Sequence, residues 1–462
     1  MKTTLLACAA LAVLATQAHA QDPHAGHDMG GMGGQPSPTD APPGPTDDHA
    51  GHGMAGMGEM DHTSVTANDD AAPLAMDHVM ASALGPFPMS RDGSGASWQP
   101  DASPPMGAMG HHGDWMTMGH ALINVVHSGQ GGPRGGDKTF LAGMVMGMAQ
   151  RPLGDGVLGL RAMLSPDPAM GASGYPLLLA AGESADGRTP LVDRQHPHDL
   201  FMELSASYSL PVGETGGVFL YGGLPGEPAF GPPSFMHRLS ALDSPEAPIT
   251  HHWLDSTHIT FGVLTAGYVQ GGWKVEASRF RGREPDELRY DIETGALDST
   301  AARISWNPGA NWSLQASWAD IKSPEALEPH HDETRLSASA AYARRLDAGG
   351  LVALTLAAAQ KNRQPGPILW GALAEAAYMP NEAWTLFGRA ERVDQDELAP
   401  GGHGDPVAVG KLSLGAIRDW TIRPGVKLGL GGLVSGFDIP TPLKASYGAP
   451  SAGMVFVRLK VG

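Results

Sequence analysis

The chain has 462 residues, a formal net charge of −18 and a single cysteine, Cys8. From residue 21 onward there is no thiol, which excludes disulfide scaffolds, cysteine-ligated metal sites and cysteine nucleophiles from that part of the chain. The acidic balance leaves no basic stripe to neutralise phosphates, so no nucleic-acid partner is expected.

Residues 1–20 are predicted to be a secretory signal peptide. Lys2 supplies the positive start, an apolar run follows from Leu5 to Leu14, and Ala18-His19-Ala20 is a small-x-small cleavage site. The apolar run is too short to span a bilayer as a helix. We therefore expect an exported protein.

Residues 21–114 are predicted to form a disordered arm on the periplasmic side of the membrane. The segment is rich in Gly, Pro, Asp, His and Met and poor in aromatic and β-branched residues. Such a composition cannot bury enough apolar surface to offset the loss of conformational entropy.

The arm contains a repeated nine-residue unit, His24–Met32 and His49–Met57, with the pattern His-x-x-His-x-Met-x-x-Met. Thioether and imidazole together form the ligand set that suits copper. A solubilising linker with incidental His and Met is the alternative, but the repetition favours metal binding. Zinc or nickel would explain the histidines and leave the methionines unexplained. The predicted copper ligands of the arm are His24, His27, Met29, Met32, His49, His52, Met54, Met57, Met60 and His62.

Residues 115–462 are predicted to form an all-β domain, a transmembrane antiparallel β-barrel. Apolar and polar residues alternate strictly in several runs, for example Trp312–Trp318 and Val455–Val461. One face is apolar and the other mixes Arg, Lys, Glu, Ser and Gly, which suits lipid outside and a polar lumen. The number of runs predicts about 16 strands, with a range of roughly 14 to 18. A soluble sandwich or propeller is the rival architecture.

Six histidines fall on predicted loops or strand ends between residues 196 and 258. If the fold brings these loops together, the imidazoles would form a metal site or a general acid–base cluster. The alternative is that they cap turns and line a polar lumen. No catalytic motif such as His-Glu-x-x-His or Gly-x-Ser-x-Gly is present, so we predict no enzymatic activity and no catalytic residues. The six are His196, His198, His237, His251, His252 and His258.

Six stretches of the 115–462 region carry a resemblance to known proteins. They are Gln130–Asp137, Asp193–Asp199, Gly223–Ala229, His251–Gly262, Gly282–Asp286 and Met454–Arg458. These stretches resemble a family of exported bacterial outer-membrane β-barrel proteins associated with copper and heavy-metal resistance, which implies the same fold and setting but no assigned activity.

Separately, the His/Met repeats resemble the N-terminal segment of the copper-resistance protein B family, outer-membrane barrels that bind copper. That second likeness is compositional and does not extend to the barrel.

Three functional hypotheses follow. The first is an outer-membrane protein for copper or heavy-metal binding, tolerance or efflux, with copper held by the arm and by a second histidine site. Its expected partners are outer-membrane lipid, metal ions and periplasmic metal-handling proteins. The second is a general porin-like channel or exporter with an incidental arm, and the third is a barrel-borne enzyme that uses the 196–258 histidines.

Overall fold

The computed structural model describes residues 80–347, 349–398 and 404–462. The predicted signal peptide and the ten predicted arm ligands, from His24 to His62, lie outside the described residues. Within the described residues, no helix combines the length and the apolar character needed to cross a membrane.

The described residues form strands connected by turns and loops, with a few very short helices. The α-helices are α1 (His251–Leu254) and α2 (Lys444–Tyr447), and single 3-10 turns occupy Met89–Arg91, Asp167–Met170, Ser256–His258 and Thr441–Leu443. In chain order the strands are β1 (Ala81–Ser82), β2 (Gly85–Pro88), β3 (Ala108–His112), β4 (Trp115–Gln130), β5 (Gly136–Leu153), β6 (Gly156–Leu164), β7 (Tyr175–Ser184), β8 (Pro190–Gln195), β9 (Phe201–Val212), β10 (Gly216–Gly223), β11 (Val263–Gln270), β12 (Trp273–Phe280), β13 (Ser299–Gly309), β14 (Trp312–Ile321), β15 (Asp332–Arg345), β16 (Leu351–Gln364), β17 (Ile368–Asn381), β18 (Trp384–Gln395), β19 (Val407–Arg423), β20 (Val426–Asp438) and β21 (Ser451–Val461).

In the described part of the chain, sixteen of these strands, β4, β5, β6 and β9 to β21, close into an antiparallel barrel. The ring is completed where β21 pairs with β4 along Ala452–Val461. The short β3 pairs with the first residues of β4 and so extends the ring beyond the end of β21. The predicted fold class and strand number are confirmed.

The two faces of the barrel wall differ as the alternation predicts. Leu336 on the outer face is 47% exposed, whereas its neighbour Arg335 on the inner face is 1% exposed. Exposed tryptophans such as Trp273 and Trp384 stand at strand ends, where an interfacial girdle is expected. An apolar exterior on a closed barrel, with all wall strands paired, is the architecture of an outer-membrane protein.

The connections at the two ends of the barrel differ in length. One end, here the turn end, carries tight turns such as residues 154–155 and 271–272. The other, here the loop end, carries the long connections 165–200 and 224–262. Outer-membrane barrels have short periplasmic turns and longer extracellular loops, so the turn end faces the periplasm.

The barrel interior is filled by the connection 224–262, here called the lumenal loop. Polar side chains hold it to the inner wall, and the apolar Trp253 and Leu254 of α1 are buried. The polar contacts join Arg238 to Glu375 on β17, Ser240 to Thr355 on β16, Asp243 to Arg458 on β21, Glu246 to Lys411 on β19 and Thr250 to Glu391 on β18.

The folded unit begins earlier than predicted. Residues 80–114, assigned to the disordered arm in the sequence analysis, are ordered, so that part of the boundary is wrong. Leu84, Phe87 and Trp98 are buried in an apolar cluster with residues of β10 to β14, and Arg91 pairs with Asp101 at 2.7 Å. The reason is tertiary: the barrel lumen supplies apolar partners that the local composition of this segment lacks.

Candidate functional site

Five of the six predicted histidines meet inside the barrel, and we call them the histidine cluster. All five are buried, and neighbouring ring centroids are 5.2 to 6.1 Å apart. The shortest separations are 5.2 Å, between His198 and His258 and between His251 and His258. The members are His196, His198, His251, His252 and His258.

Two loops position the cluster. His196 and His198 lie in the short segment between β8 and β9. The other three lie on α1 and the 3-10 turn after it, within the lumenal loop. Helix α1 is held in place because Trp253 is buried against the wall, with Lys361 Nζ 5.0 Å from its ring centroid.

Three of the histidines have a defined protonation pattern. Nδ1 of His198 donates to Asp167 at 2.8 Å, Nδ1 of His251 donates to Asp255 at 2.8 Å, and Nδ1 of His258 donates to the Asp255 carbonyl at 2.7 Å. Carboxylates and carbonyls only accept, so in each neutral ring Nε2 keeps its lone pair. This is the arrangement that orients metal-ligating histidines.

The free ring nitrogens are buried. Nε2 of His198 and Nε2 of His258 have no hydrogen-bond partner in the structure, and a buried unsatisfied group of this kind costs about 1–3 kcal/mol. Burial lowers the pKa of His196, His252 and His258 well below the ordinary value. These rings are therefore neutral at physiological pH and available as ligands.

An acidic cavity of about 250 Å³ lies beside the cluster, among loops of the loop end. Glu183 connects the two, since its Oε1 is 3.2 Å from Nε2 of His196, although without hydrogen-bond geometry. Burial raises the pKa of Glu284, which lies 3.9 Å from Nδ1 of His252, to about 8. The acidic residues lining the cavity are Glu183, Glu284, Asp286, Glu287, Glu325, Glu328 and Glu397.

His237 does not join the cluster. Its Nε2 lies 3.3 Å from Sδ of Met163, and its ring is 6.4 Å from that of His120. Two residues of this group, His120 and Met163, are not among the ligands predicted from the sequence. Both were detectable in principle, because each occupies an inward register position on a barrel strand.

The space around the cluster limits what it can accept. A cavity of about 40 Å³ is lined by His196, His198 and Met144, which is room for an ion or a few waters rather than an organic substrate. Within residues 80–347, 349–398 and 404–462, no group of three or more His, Cys, Asp or Glu is arranged so that it could hold a metal ion. Metal binding would therefore require the imidazole rings to turn until their Nε2 atoms converge.

Similarity to known proteins is found among solved structures, at low sequence identity. No protein-family model and no curated protein matches the chain. Among solved structures, it is similar to the anion-selective porin from Comamonas acidovorans, with 11% identity, coverage of 75% of this chain and 99% of the porin, and a TM-score of 0.46. It is also similar to OmpF of Salmonella typhi, with 9% identity, coverage of 76% of this chain and 100% of OmpF, and a TM-score of 0.49. For OmpT of Vibrio cholerae the identity is 7%, the coverage is 76% of this chain and 100% of OmpT, and the TM-score is 0.42.

Proposed function

We propose that this protein is an outer-membrane channel, closed by its own lumenal loop, that binds and passes a transition-metal cation, with copper as the first candidate cargo. The observation that carries the proposal is the set of three buried imidazoles, His198, His251 and His258. Their Nδ1 atoms are held by acceptors.

The spacing of the rings supports a shared ion. Two imidazoles bound through nitrogen to one tetrahedral ion have ring centroids about 5 Å apart, given metal–nitrogen distances of roughly 2 Å. His198 and His251 are each 5.2 Å from His258 by this measure. If these histidines only capped turns, the hydrogen bonds of their Nδ1 atoms would be explained. The free-energy cost of burying the Nε2 atoms of His198 and His258 without partners would not be.

The neighbouring groups support cation passage. The acidic cavity at the loop end would raise the local concentration of cations beside the cluster. Imidazole binds copper, zinc and nickel alike, so the choice of copper rests on the predicted His/Met repeats of the arm, which would collect the ion in the periplasm. Periplasmic metal-handling proteins would be its source.

A general porin is the second candidate. The observation in its favour is the strand number, because barrels of 16 to 18 strands leave an aqueous channel when their interior is free. The lumenal loop weighs against it, since its residues 238–250 contact five strands of the wall, β16 to β19 and β21, from inside the barrel.

Copper flux into liposomes that contain the full chain tests the proposal. The triple variant His198→Gln, His251→Gln, His258→Gln removes the ring nitrogens, whereas His127→Gln changes an exposed histidine on the outer face of β4. We expect small potassium chloride conductance for the unmodified protein and at least about a tenfold loss of copper flux in the triple variant alone. Equal flux in all three proteins, or a large conductance indifferent to copper, would favour the general porin.

A further inference from the structure

A second group of soft ligands lines the inner wall formed by β4, β5, β6 and the start of β9, which we call the methionine sector. Met144 and Met202 are fully buried there, and Leu122, Ile259 and Phe261 pack among the methionines. The methionines of this cluster are Met106, Met144, Met146, Met148, Met163, Met202 and Met236.

Two histidines enter this sector. His237 reaches it from the lumenal loop and brings Nε2 to 3.3 Å from Sδ of Met163. His120 projects inward from β4 opposite Met146 on β5, and both of its ring nitrogens are buried without a hydrogen-bond partner. His237 itself is 3% exposed.

The separation of the two donor atoms fits a shared ion. Ligands of one tetrahedral ion are about 3.5 Å apart when metal–ligand distances are roughly 2.0 to 2.3 Å. A weak hydrogen bond from the imidazole to sulfur would also give this contact, and methionine is a common filler of irregular cores. Neither explanation accounts for His120, whose two buried nitrogens have no partner.

The chemistry of the donors selects the ion. Thioether and neutral imidazole are soft or borderline ligands that suit Cu(I) and its analogue Ag(I), whereas hard divalent ions require carboxylate or carbonyl oxygens. Neither His120 nor His237 has a carboxylate within ion-pair distance among the described residues, in contrast to the histidine cluster, where Asp167 and Asp255 hold the rings.

We propose that His120, His237 and Met163, with Met146 as the fourth donor, form a binding site for a soft univalent cation, Cu(I) in the cell. As a step in metal passage this site rests on the proposed function, but binding at the site does not require it. The 40 Å³ cavity joins the methionine sector to the histidine cluster, because it is lined by Met144 and Met236 as well as by His196 and His198.

The order of the two sites along the barrel follows from the register of β4. His120 lies five residues from the strand end at Trp115, which is beside the β3–β4 turn. Gly143, whose amide contacts the Asp167 that holds His198, pairs with Ile123. His120 is thus three residues nearer the periplasmic end of β4 than Ile123, which is roughly 10 Å along the strand. An ion arriving from the periplasm would meet the thioether site before the histidine cluster.

Anomalous diffraction from crystals of the full chain soaked in Ag(I) locates the ion directly. We expect a peak between His237 Nε2 and Met163 Sδ. A silver or copper peak at the histidine cluster alone would overturn this site and leave the proposed function standing. A peak at the methionine sector with none at the cluster for Ag(I), Cu(I) or Cu(II) would support the site and remove the cluster from the proposed function.

Ag(I) titration of the full chain in detergent provides the second measurement. Met163→Leu keeps the side-chain volume, and we expect it and His237→Gln each to remove one tight equivalent, with affinity reduced at least about tenfold. The arm contributes equally to every variant and cancels in the difference. Met454→Leu, at a buried methionine of β21 in a different cluster, and His127→Gln are the matched controls. Heat-modifiable migration on gels checks that each barrel is folded. The same loss in Met454→Leu, or equal affinity for Zn(II), would overturn the proposal.

Discussion

The inner wall of the barrel has two parts of different chemistry. The methionine sector, on β4, β5, β6 and the start of β9, presents mainly thioethers and two imidazoles, with Arg161 and Glu203 as buried charged residues among them. The wall from β12 to β21, here called the charged sector, presents acidic and basic side chains. The buried inward ones are Lys274, Glu276, Arg303, Glu333, Arg335, Lys361, Arg363, Glu375, Arg389, Glu391, Lys411, Asp419 and Arg458.

The two sectors differ in role: charged residues hold the lumenal loop in place, whereas neutral residues are the candidates for binding a ligand. In the charged sector, Glu375 pairs with Arg238 of the lumenal loop and with Arg389 of the wall, so its charge is compensated within the protein. In the methionine sector and the adjoining histidine cluster, His120, His198 and His258 retain unpartnered nitrogens. Ion pairs therefore fasten the loop to the charged sector, whereas the neutral ring nitrogens are the groups that the proposals above assign to an ion.

Removing the Arg238 ion pairs, which fix the lumenal loop to the wall, should have the largest effect on stability and conductance. Arg238 donates to Glu375 at 2.9 and 3.0 Å and to Asp255 at 2.5 Å. Arg238→Met therefore leaves the buried Asp255 without its arginine and leaves Glu375 with Arg389 alone. We expect a loss of about 3–5 kcal/mol in stability and the appearance of steady conductance in planar bilayers as the lumenal loop detaches. Arg392→Met, at an exposed pair with Asp438, should change neither. If the Arg238→Met variant keeps its stability and shows no conductance, the charged sector does not hold the lumenal loop.

Weakening the support of the histidine cluster should have a smaller effect. Asp167→Asn keeps the size of the side chain but removes the carboxylate that orients His198. We expect copper affinity at the cluster to fall about 10–100-fold, measured by competition with a chelator. Asp186→Asn, in an exposed turn, should leave it unchanged. An unaltered affinity in Asp167→Asn would mean that His198 is not a ligand.

Acidification should distinguish the buried cluster from the predicted ligands of residues 21–65. A histidine stops ligating once the pH falls below its pKa, and burial lowers the pKa of His258, the proposed ligand nearest to both of the others. Cu(II) bound at the cluster should therefore persist well below pH 6.5, whereas a peptide that binds it through histidines of ordinary pKa should release it near about 6.5. Copper retention from pH 7 to 4 in the full chain and in a peptide of residues 21–65 checks this. Loss from both at the same pH would contradict it.

The smallest effect is expected for the methionines of residues 21–65, whose contribution to Cu(I) binding can be measured in a peptide. A peptide of residues 21–65 should bind Cu(I) through its repeated units, because His and Met donors are closely spaced along a glycine-rich chain. Titration against a scrambled peptide with every methionine replaced by leucine measures the methionine contribution. Equal affinity of the two peptides would remove the arm from the proposed function.

The N-terminal boundary illustrates where prediction from sequence stops. Phe87 and Trp98 stand in a segment whose composition suggests disorder, yet their rings pack at 5.1 Å against each other within the lumen. The partners that order them come from strands more than a hundred residues away, such as β11 and β13. The composition of a segment indicates the conformational entropy that it loses on folding. It does not indicate how much apolar surface distant strands provide for it to pack against.

The sequence by itself determined the barrel, its approximate strand number and which side chains face inward, because alternation is a local property with a period of two residues. It also singled out the five histidines of the cluster as candidates. Only the tertiary structure decided that these five meet while His237 joins His120 and Met163 instead. The reason is that the paths of the loops inside the barrel depend on ion pairs with the wall, such as Arg238 with Glu375, and such long-range contacts leave no periodic trace in the chain.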